Sequence, residues 1–307
     1  LSDIRILVPI KIIMKTEKLH LQLSLAAAAL TGWAALLPVT SHGQTEEADY
    51  QLQSTYDSSV GTIGALTTIG SQVSFTSATV DGNPQEVLSI SANDTGYGGT
   101  SGVQAQTGPN FGISDDNYSV VLLADFNLSA TGLLATKVLD FANLSSDAGL
   151  YVNDTSGLLE FINGSGVVQT IPAPTSTAVV SGTYAQIVLT RNGTTGLVSV
   201  YEDGTLALSF TDSSDLAVLG DATATGKSYL TLFKDDGTGV GDVGGPVVNE
   251  SSEGDIARLR IYDGVLSDME IMGLDTVIPE PGSLALFVLG GVLLLGCGRA
   301  IRSGRLA

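Results

Sequence analysis

In YAQIVLTRNGTTGLVSVYEDGTLALSF, residues 184–210, Ala185, Ile187 and Leu189 alternate with Gln186, Val188 and Thr190. Successive side chains of a strand point to opposite faces, so this alternation predicts a strand with one face turned to a core. Asn192-Gly193 marks a turn before a second strand over 197–201. Asp203-Gly204 marks another before Leu206, Leu208 and Phe210, which alternate with Ala207 and Ser209. Three antiparallel strands drawn from one local stretch make a meander.

Working outward, short strands are predicted over 72–76, 86–90, 118–128, 137–141, 149–153, 158–163, 167–171, 229–234 and 255–263. In the last of these, Ala257, Leu259 and Ile261 are expected on one face and Arg258 and Arg260 on the other. Ser267 and Glu270 have capping-box spacing, with Leu266 and Ile271 placed as a hydrophobic staple, so one helical turn is expected after that strand. About a dozen strands and no long amphipathic helix predict an all-β fold, a two-sheet antiparallel β-sandwich. Beyond that turn, helix is expected only in an N-terminal signal segment and a short apolar segment near the C-terminus.

Both ends of the 307-residue chain differ from the middle. Lys15 and Lys18 precede an apolar run over 21–37 that Pro38 breaks, the pattern of a secretory signal. A small-x-small site at Ser41-His42-Gly43 predicts cleavage before Gln44, and Met14 is the expected translation start, which makes 1–13 an upstream extension. At the other end, Pro279 and Pro281 stop regular structure, and the sixteen residues 283–298 carry no charge. As a helix they rise about 24 Å, short of a hydrocarbon core of about 30 Å. Arg299, Arg302 and Arg305 follow and would hold that end on the cytoplasmic side. These features predict a division into 1–13, a signal peptide over 14–43, one domain over 44–276 and a tail over 277–307, with the domain outside the membrane.

Between residues 45 and 280, six lysines and arginines face thirty acids, a net charge of −24. Nucleic acid and anionic lipid are poor partners for such a field. His20, His42 and Trp33 lie in the signal region and Cys297 in the apolar tail, so the central domain has no histidine, cysteine or tryptophan. That excludes Ser-His-Asp and Cys-His nucleophile systems, histidine- or thiolate-bound zinc, disulfides and tryptophan sugar platforms.

The order Pro279-Glu280-Pro281, apolar segment 283–298 and arginine cluster resembles the PEP-CTERM sorting signal of exported bacterial proteins. That resemblance implies processing near the Pro-Glu-Pro by a membrane enzyme of the exosortase type. It also implies release or transfer of the domain to the cell surface or its polysaccharide matrix.

A second likeness joins residues 184–210 to GDIARLRIYDGVLSDMEI, residues 254–271. A strand ending in Tyr-x-Asp-Gly, followed late in the chain by Arg260-Ile261-Tyr262-Asp263, resembles the laminin-G-like, concanavalin A-like jelly roll. KVLDFANLSSDAGLYV, residues 137–152, is similar to the central strands of that group, and 50–60 to its opening strand. Where that group usually has Trp followed by His, this chain has Tyr184, Ala185 and Gln186. The resemblance implies a sandwich with a binding rim or concave face; the fold alone does not choose a ligand.

Glycan-hydrolysing relatives of that fold carry Glu-x-Asp-x-x-Glu on one strand. No such strand occurs, and the nearest cluster, Glu250 to Asp255, is spaced differently. The expectation is a non-catalytic, surface- or matrix-associated module that binds extracellular polysaccharide or a protein partner. A secreted carbohydrate-active enzyme or a passive envelope component are the alternatives. Laminin-G-like modules often hold calcium with rim aspartates, so Asp235 and Asp236, then Asp140 and Asp147, are the calcium candidates. Tyr151, Tyr184, Tyr201 and Tyr262 fall in strands, where packing is the expected role rather than sugar stacking.

Overall fold

The computed structural model describes residues 44–91, 101–107, 113–128, 135–163, 167–168, 177–219, 221–222, 227–235 and 251–274. The two predicted terminal helices, Asp236, Pro279, Glu280, Pro281, Arg299, Arg302 and Arg305 lie outside the described residues. Among the described residues no helix is long and apolar enough to cross a membrane.

The strands in chain order are β1 (Thr45–Tyr50), β2 (Thr67–Ile69), β3 (Val73–Val80), β4 (Asn83–Ile90) and β5 (Gly102–Thr107). Then come β6 (Tyr118–Phe126), β7 (Ala135–Asp140), β8 (Gly149–Asn153), β9 (Leu159–Ile162) and β10 (Ala185–Arg191). The last are β11 (Leu197–Glu202), β12 (Thr205–Thr211), β13 (Asp221–Ala222), β14 (Lys227–Leu232) and β15 (Gly254–Asp263), followed by helix α1 (Asp268–Met272). One sheet has the order β12-β11-β10-β6-β15-β4-β3 with β1 also on β15; the other has the order β2-β5-β14-β7-β8-β9 with β13 on β14. Every paired strand is antiparallel, and the fold is the predicted two-sheet, jelly-roll-like sandwich.

The central strand β6 lies between β10 and β15, with Leu122 opposite Ile187 and also opposite Leu259. Val120, Leu122, Ile187, Leu189, Leu259 and Ile261 from this sheet share one core with Val103, Leu139, Leu150, Phe161 and Leu230 from the other. The alternation in β10 therefore does what its period requires: Ile187 and Leu189 enter the core while Val188 faces outward. Burying such side chains supplies most of the folding energy of a domain without disulfides, at about 25 cal/mol per Å² of apolar surface.

Several local expectations are revised. The opening strand that the resemblance implies over 50–60 instead ends at Tyr50, and Leu52 and Ser54 beyond it take positive φ. The Asn192-Gly193 turn is a longer loop: Asn192 Oδ1 accepts the amides of Thr194 and Thr195, and the positive φ falls at Gly196. Asp203 and Gly204 both have positive φ, the geometry of the tight turn expected there. A bulge between Ile256 and Arg258 changes the parity of β15, so Ile256, Leu259 and Ile261 point to the core while Ala257 joins an outer cluster. The capping box forms as foreseen: Ser267 Oγ accepts the Glu270 amide, and Glu270 Oε2 accepts the Ser267 amide at 2.7 Å. Leu266 and Ile271 are buried together against Val121 and Val188.

After β8 the chain turns at Asp154, a half-buried residue whose carboxylate lies near the Thr136 hydroxyl. Burial pushes this carboxyl up to about 6, the nearby Thr136 hydroxyl opposing it only in part. A carboxyl raised on folding stabilises below its unfolded value, and that contribution is lost as pH rises through about 6. Asp154→Asn is therefore expected to gain about 1 kcal/mol over the natural chain near pH 8, after discounting for solvent screening of this half-exposed group, and nothing near pH 4. Urea unfolding at the two pH values checks it.

Candidate binding groove and the buried lysine cluster

The outward face of the larger sheet is only partly covered. The segment after β15 folds back over it, placing Leu266, Ile271 and Leu274 on Val121, Val188 and Tyr262. Beside this cover lies a groove of about 550 Å³, lined by Tyr184 just before β10, Gln186 of β10, Asp203 of the β11–β12 turn, Asp81 of the β3–β4 turn and Met272 of α1. Tyr184 is half-buried, resting with Leu123, Val87 and Ala257, and its hydroxyl reaches Asp255 Oδ2 at 3.4 Å. Burial, with Asp255 and Asp125 beside it, pushes the phenol well above its ordinary value, so it stays a neutral donor.

Gln186 is 3 % exposed, and its side-chain Nε2 has no hydrogen-bond partner among the described residues. An amide left so is costly, by about 1–3 kcal/mol, unless something supplies an acceptor. Its backbone amide is held by Asp203 Oδ1 at 2.8 Å, which pins the turn to the strand. Met272 is 68 % exposed at the edge of the groove. The groove thus offers a flat ring, a buried amide donor and two acids.

Tyr151 and Tyr262 are fully buried, in keeping with a packing role, whereas Tyr184 and Tyr201 are half-buried on the outer face. Sequence pattern alone does not separate the pairs. Tyr151, Tyr201 and Tyr262 occupy strands and Tyr184 stands just before β10, and on the larger sheet the part of the outer face that is roofed depends on the segment after β15.

A second, smaller groove of about 300 Å³ is lined by Asp125, Glu253 and Asp255. Asp125 and Asp255 are directly opposite on β6 and β15. Burial, with Asp255 beside it, raises the Asp125 carboxyl. Asp125 Oδ1 accepts the Gly182 amide at 2.8 Å and Asp255 accepts the Tyr184 hydroxyl, so both acids hold the turn that leads into β10.

On the smaller sheet, the structure brings together two of the calcium candidates. Asp140 at the end of β7 and Asp235 just beyond β14 both face Lys137, whose Nζ is 3.0 Å from Asp140 Oδ2 and 3.2 Å from Asp235 Oδ1. All three side chains are fully buried. The ammonium also donates to the Ser146 carbonyl at 3.3 Å and lies 5.3 Å from the centre of the Tyr151 ring. Gly149 leaves room for the lysine stem: a Cβ there would stand 2.4 Å from the Leu139 carbonyl oxygen and 3.1 Å from Lys137 Cε. Asp147 is buried nearby in sequence, with its carbonyl accepting the Tyr151 hydroxyl at 3.1 Å.

Desolvation works against the Lys137 charge, yet the two carboxylates outweigh it and its value is raised. Asp140 is raised as well, by burial against the pull of Lys137. With the ammonium between them, Asp140 and Asp235 do not form an open oxygen cage for calcium, and no group of three metal-ligating acids, histidines or cysteines occurs among the described residues.

Sequence inspection had one available signal for this cluster, a lysine set among apolar residues in a strand with aspartate three positions on. It had none for Asp235 as the partner. The missed strand β5 alternates Val103 and Ala105 with Gln104 and Gln106, a pattern that period-two reading can find.

No family model matches the chain, and no curated protein matches it. Among solved structures it is similar to domain 4 of AbnA, a GH43 extracellular arabinanase from Geobacillus stearothermophilus, in complex with arabinotriose. The TM-score is 0.50 at 16 % identity, over 75 % of this chain and 98 % of that one. It also matches the botulinum neurotoxin serotype D binding domain, with TM-score 0.47 at 13 % identity, over 74 % of this chain and 50 % of that one. A third match is the Trypanosoma rangeli sialidase in complex with the inhibitor DANA, with TM-score 0.45 at 14 % identity, over 78 % of this chain and 33 % of that one. The chain thus spans half of the toxin domain and a third of the sialidase. At such identities the likeness to the arabinanase domain shows the fold alone.

Proposed function

We propose that this chain is an exported, non-catalytic jelly-roll module that binds extracellular polysaccharide in the groove of Tyr184, Gln186 and Asp203. The tail over 277–307 is its PEP-CTERM address, processed by an exosortase-type enzyme. The observation that carries the binding assignment is the buried Gln186 Nε2, without a partner among the described residues, in a groove walled by a half-exposed tyrosine ring. A sugar presents an apolar ring face for the aromatic and hydroxyl oxygens for an amide donor. The arabinanase domain of like fold, solved with arabinotriose, is a precedent for sugar binding on this scaffold.

Catalysis has weaker support. Asp125 and Asp255 are a close carboxylate pair, but both are engaged in holding the turn at Gly182 and Tyr184. Asp140 and Asp235, which face Lys137 on the other sheet, take no part in the groove. Binding is accordingly expected to persist in chelator.

A glycan array, run with calcium and with chelator, should identify a polysaccharide, and calorimetry against it tests the groove. Tyr184→Ala is expected to weaken binding about five- to thirtyfold, equivalent to about 1–2 kcal/mol. Gln186→Leu separates binding from folding: removing a buried, unpartnered amide should leave the unfolding midpoint unchanged or higher while affinity falls. Unchanged affinity in both variants, or turnover of the bound glycan, would displace the proposal.

A further inference from the structure

Lys137, Asp140 and Asp235 meet the requirements for an internal amide. The lysine nitrogen is in contact with both carboxyl groups, and all three side chains are shut away from water. The backbones are clamped from one short segment: Ser251 Oγ accepts the Asp235 amide at 3.0 Å, and Ser252 Oγ donates to the Lys137 carbonyl at 2.7 Å. Such fixation of nitrogen against carboxyl converts a slow bimolecular condensation into an intramolecular one.

The dry site favours the same outcome, because condensation replaces a buried ammonium and a buried carboxylate by a neutral amide. Asp140 shares a strand with Lys137, and its Oδ1 is held by the Leu144 amide at 2.8 Å. Asp235 lies beyond the end of the neighbouring strand β14, where a bond would join separate segments.

We propose that Lys137 and Asp235 condense to an intramolecular amide, with Asp140 carrying the proton. The Nζ lone pair attacks Asp235 Cγ. The Nζ–Cγ bond forms and a Cγ–O bond breaks. Asp140 accepts a proton from the nitrogen and delivers one to the departing oxygen. Ammonium plus carboxylate gives amide plus one water, with no change of oxidation state and no other reactant. The bond would tie β7 to the end of β14 in a domain whose sequence offers no cysteine for a disulfide.

The test is peptide mapping of the full chain, denatured and digested with trypsin and a glutamate-specific protease. Acylated Lys137 resists trypsin, so the expected product is a branched peptide joining the Lys137 and Asp235 segments, lighter by one water than their sum. In Lys137→Met and Asp235→Ala the branch should vanish. In Asp140→Asn, which keeps both reacting groups, it should be lost or strongly reduced, with circular dichroism confirming that the variant folds. Recovery of a linear peptide ending at Lys137 together with a linear Asp235 peptide from the natural chain would overturn the proposal, whatever the variants do. A branch from Lys137 to Asp140 would overturn the assignment of the acceptor.

Discussion

Replacing Arg191 by methionine is expected to cost the fold about 3–5 kcal/mol, the penalty for leaving a buried charge without its partner. Arg191, at the end of β10, is 2 % exposed. Its Nε donates to Asp212 Oδ2 at 3.2 Å, its Nη1 to the Asp116 carbonyl at 2.7 Å and its Nη2 to Asp215 Oδ1 at 2.9 Å. Asp212 has no exposed side-chain surface and also accepts the amides of Leu216 and Ala217 at 2.8 and 2.9 Å. The guanidinium therefore neutralises the acid that shapes the chain after β12 and ties it to the entry of β6. That chain is in turn held by the buried Tyr118, whose hydroxyl donates to the Ala217 carbonyl at 2.6 Å.

Methionine would fill much of the space but leave the buried Asp212 carboxyl without its cationic partner. Since domains are stable by only about 5–15 kcal/mol, urea unfolding should show a large fall in midpoint. Two comparisons isolate the cause. Asp215→Asn should change stability by about 0.5 kcal/mol or less, because the Asp215 side chain is 76 % exposed. Arg191→Met combined with Asp212→Asn should recover part of the loss, because the uncompensated charge is then gone.

Phe161→Ala is the second large effect, expected at about 3–5 kcal/mol. Phe161 sits on β9, the edge of the smaller sheet, and has no exposed surface. Its ring centre is 4.7 Å from that of Phe210 on β12, the edge strand of the opposite sheet, and 6.0 Å from that of Phe141. The side chain closes the sandwich at this edge, where few other residues can move in to fill a cavity. Phe161→Leu, which keeps most of the volume, should lose much less. Equal losses for the two substitutions would show that ring packing is not what holds this edge.

Both effects concern contacts between segments distant in sequence, and that is where sequence inspection stops. Alternation in residues 184–210, the Asp203-Gly204 turn and the Ser267–Glu270 cap were legible because each depends on neighbours within a few positions. The parity of β15 was not, since a bulge between Ile256 and Arg258 arises from pairing with β6 and leaves no mark in the local pattern. The groove escaped for a related reason. Tyr184, Gln186, Asp203, Asp81 and Met272 come from four separate elements, and only the segment folded back after β15 leaves Tyr184 partly open while it covers Tyr262. The sequence offers Asp140 and Asp235 as oxygen ligands for calcium. What their sequence positions could not disclose was the lysine that meets them.

The amino-acid sequence by itself determined the strand-rich character of the domain, its turns, its acidity and the absence of histidine, cysteine and tryptophan from its body, all properties of composition or short-range spacing. Tertiary structure alone decided the order of strands in each sheet, which tyrosines are roofed and which acids share Lys137. Those outcomes rest on pairings across the sandwich, and the energy of burying a side chain depends on what the rest of the chain brings against it.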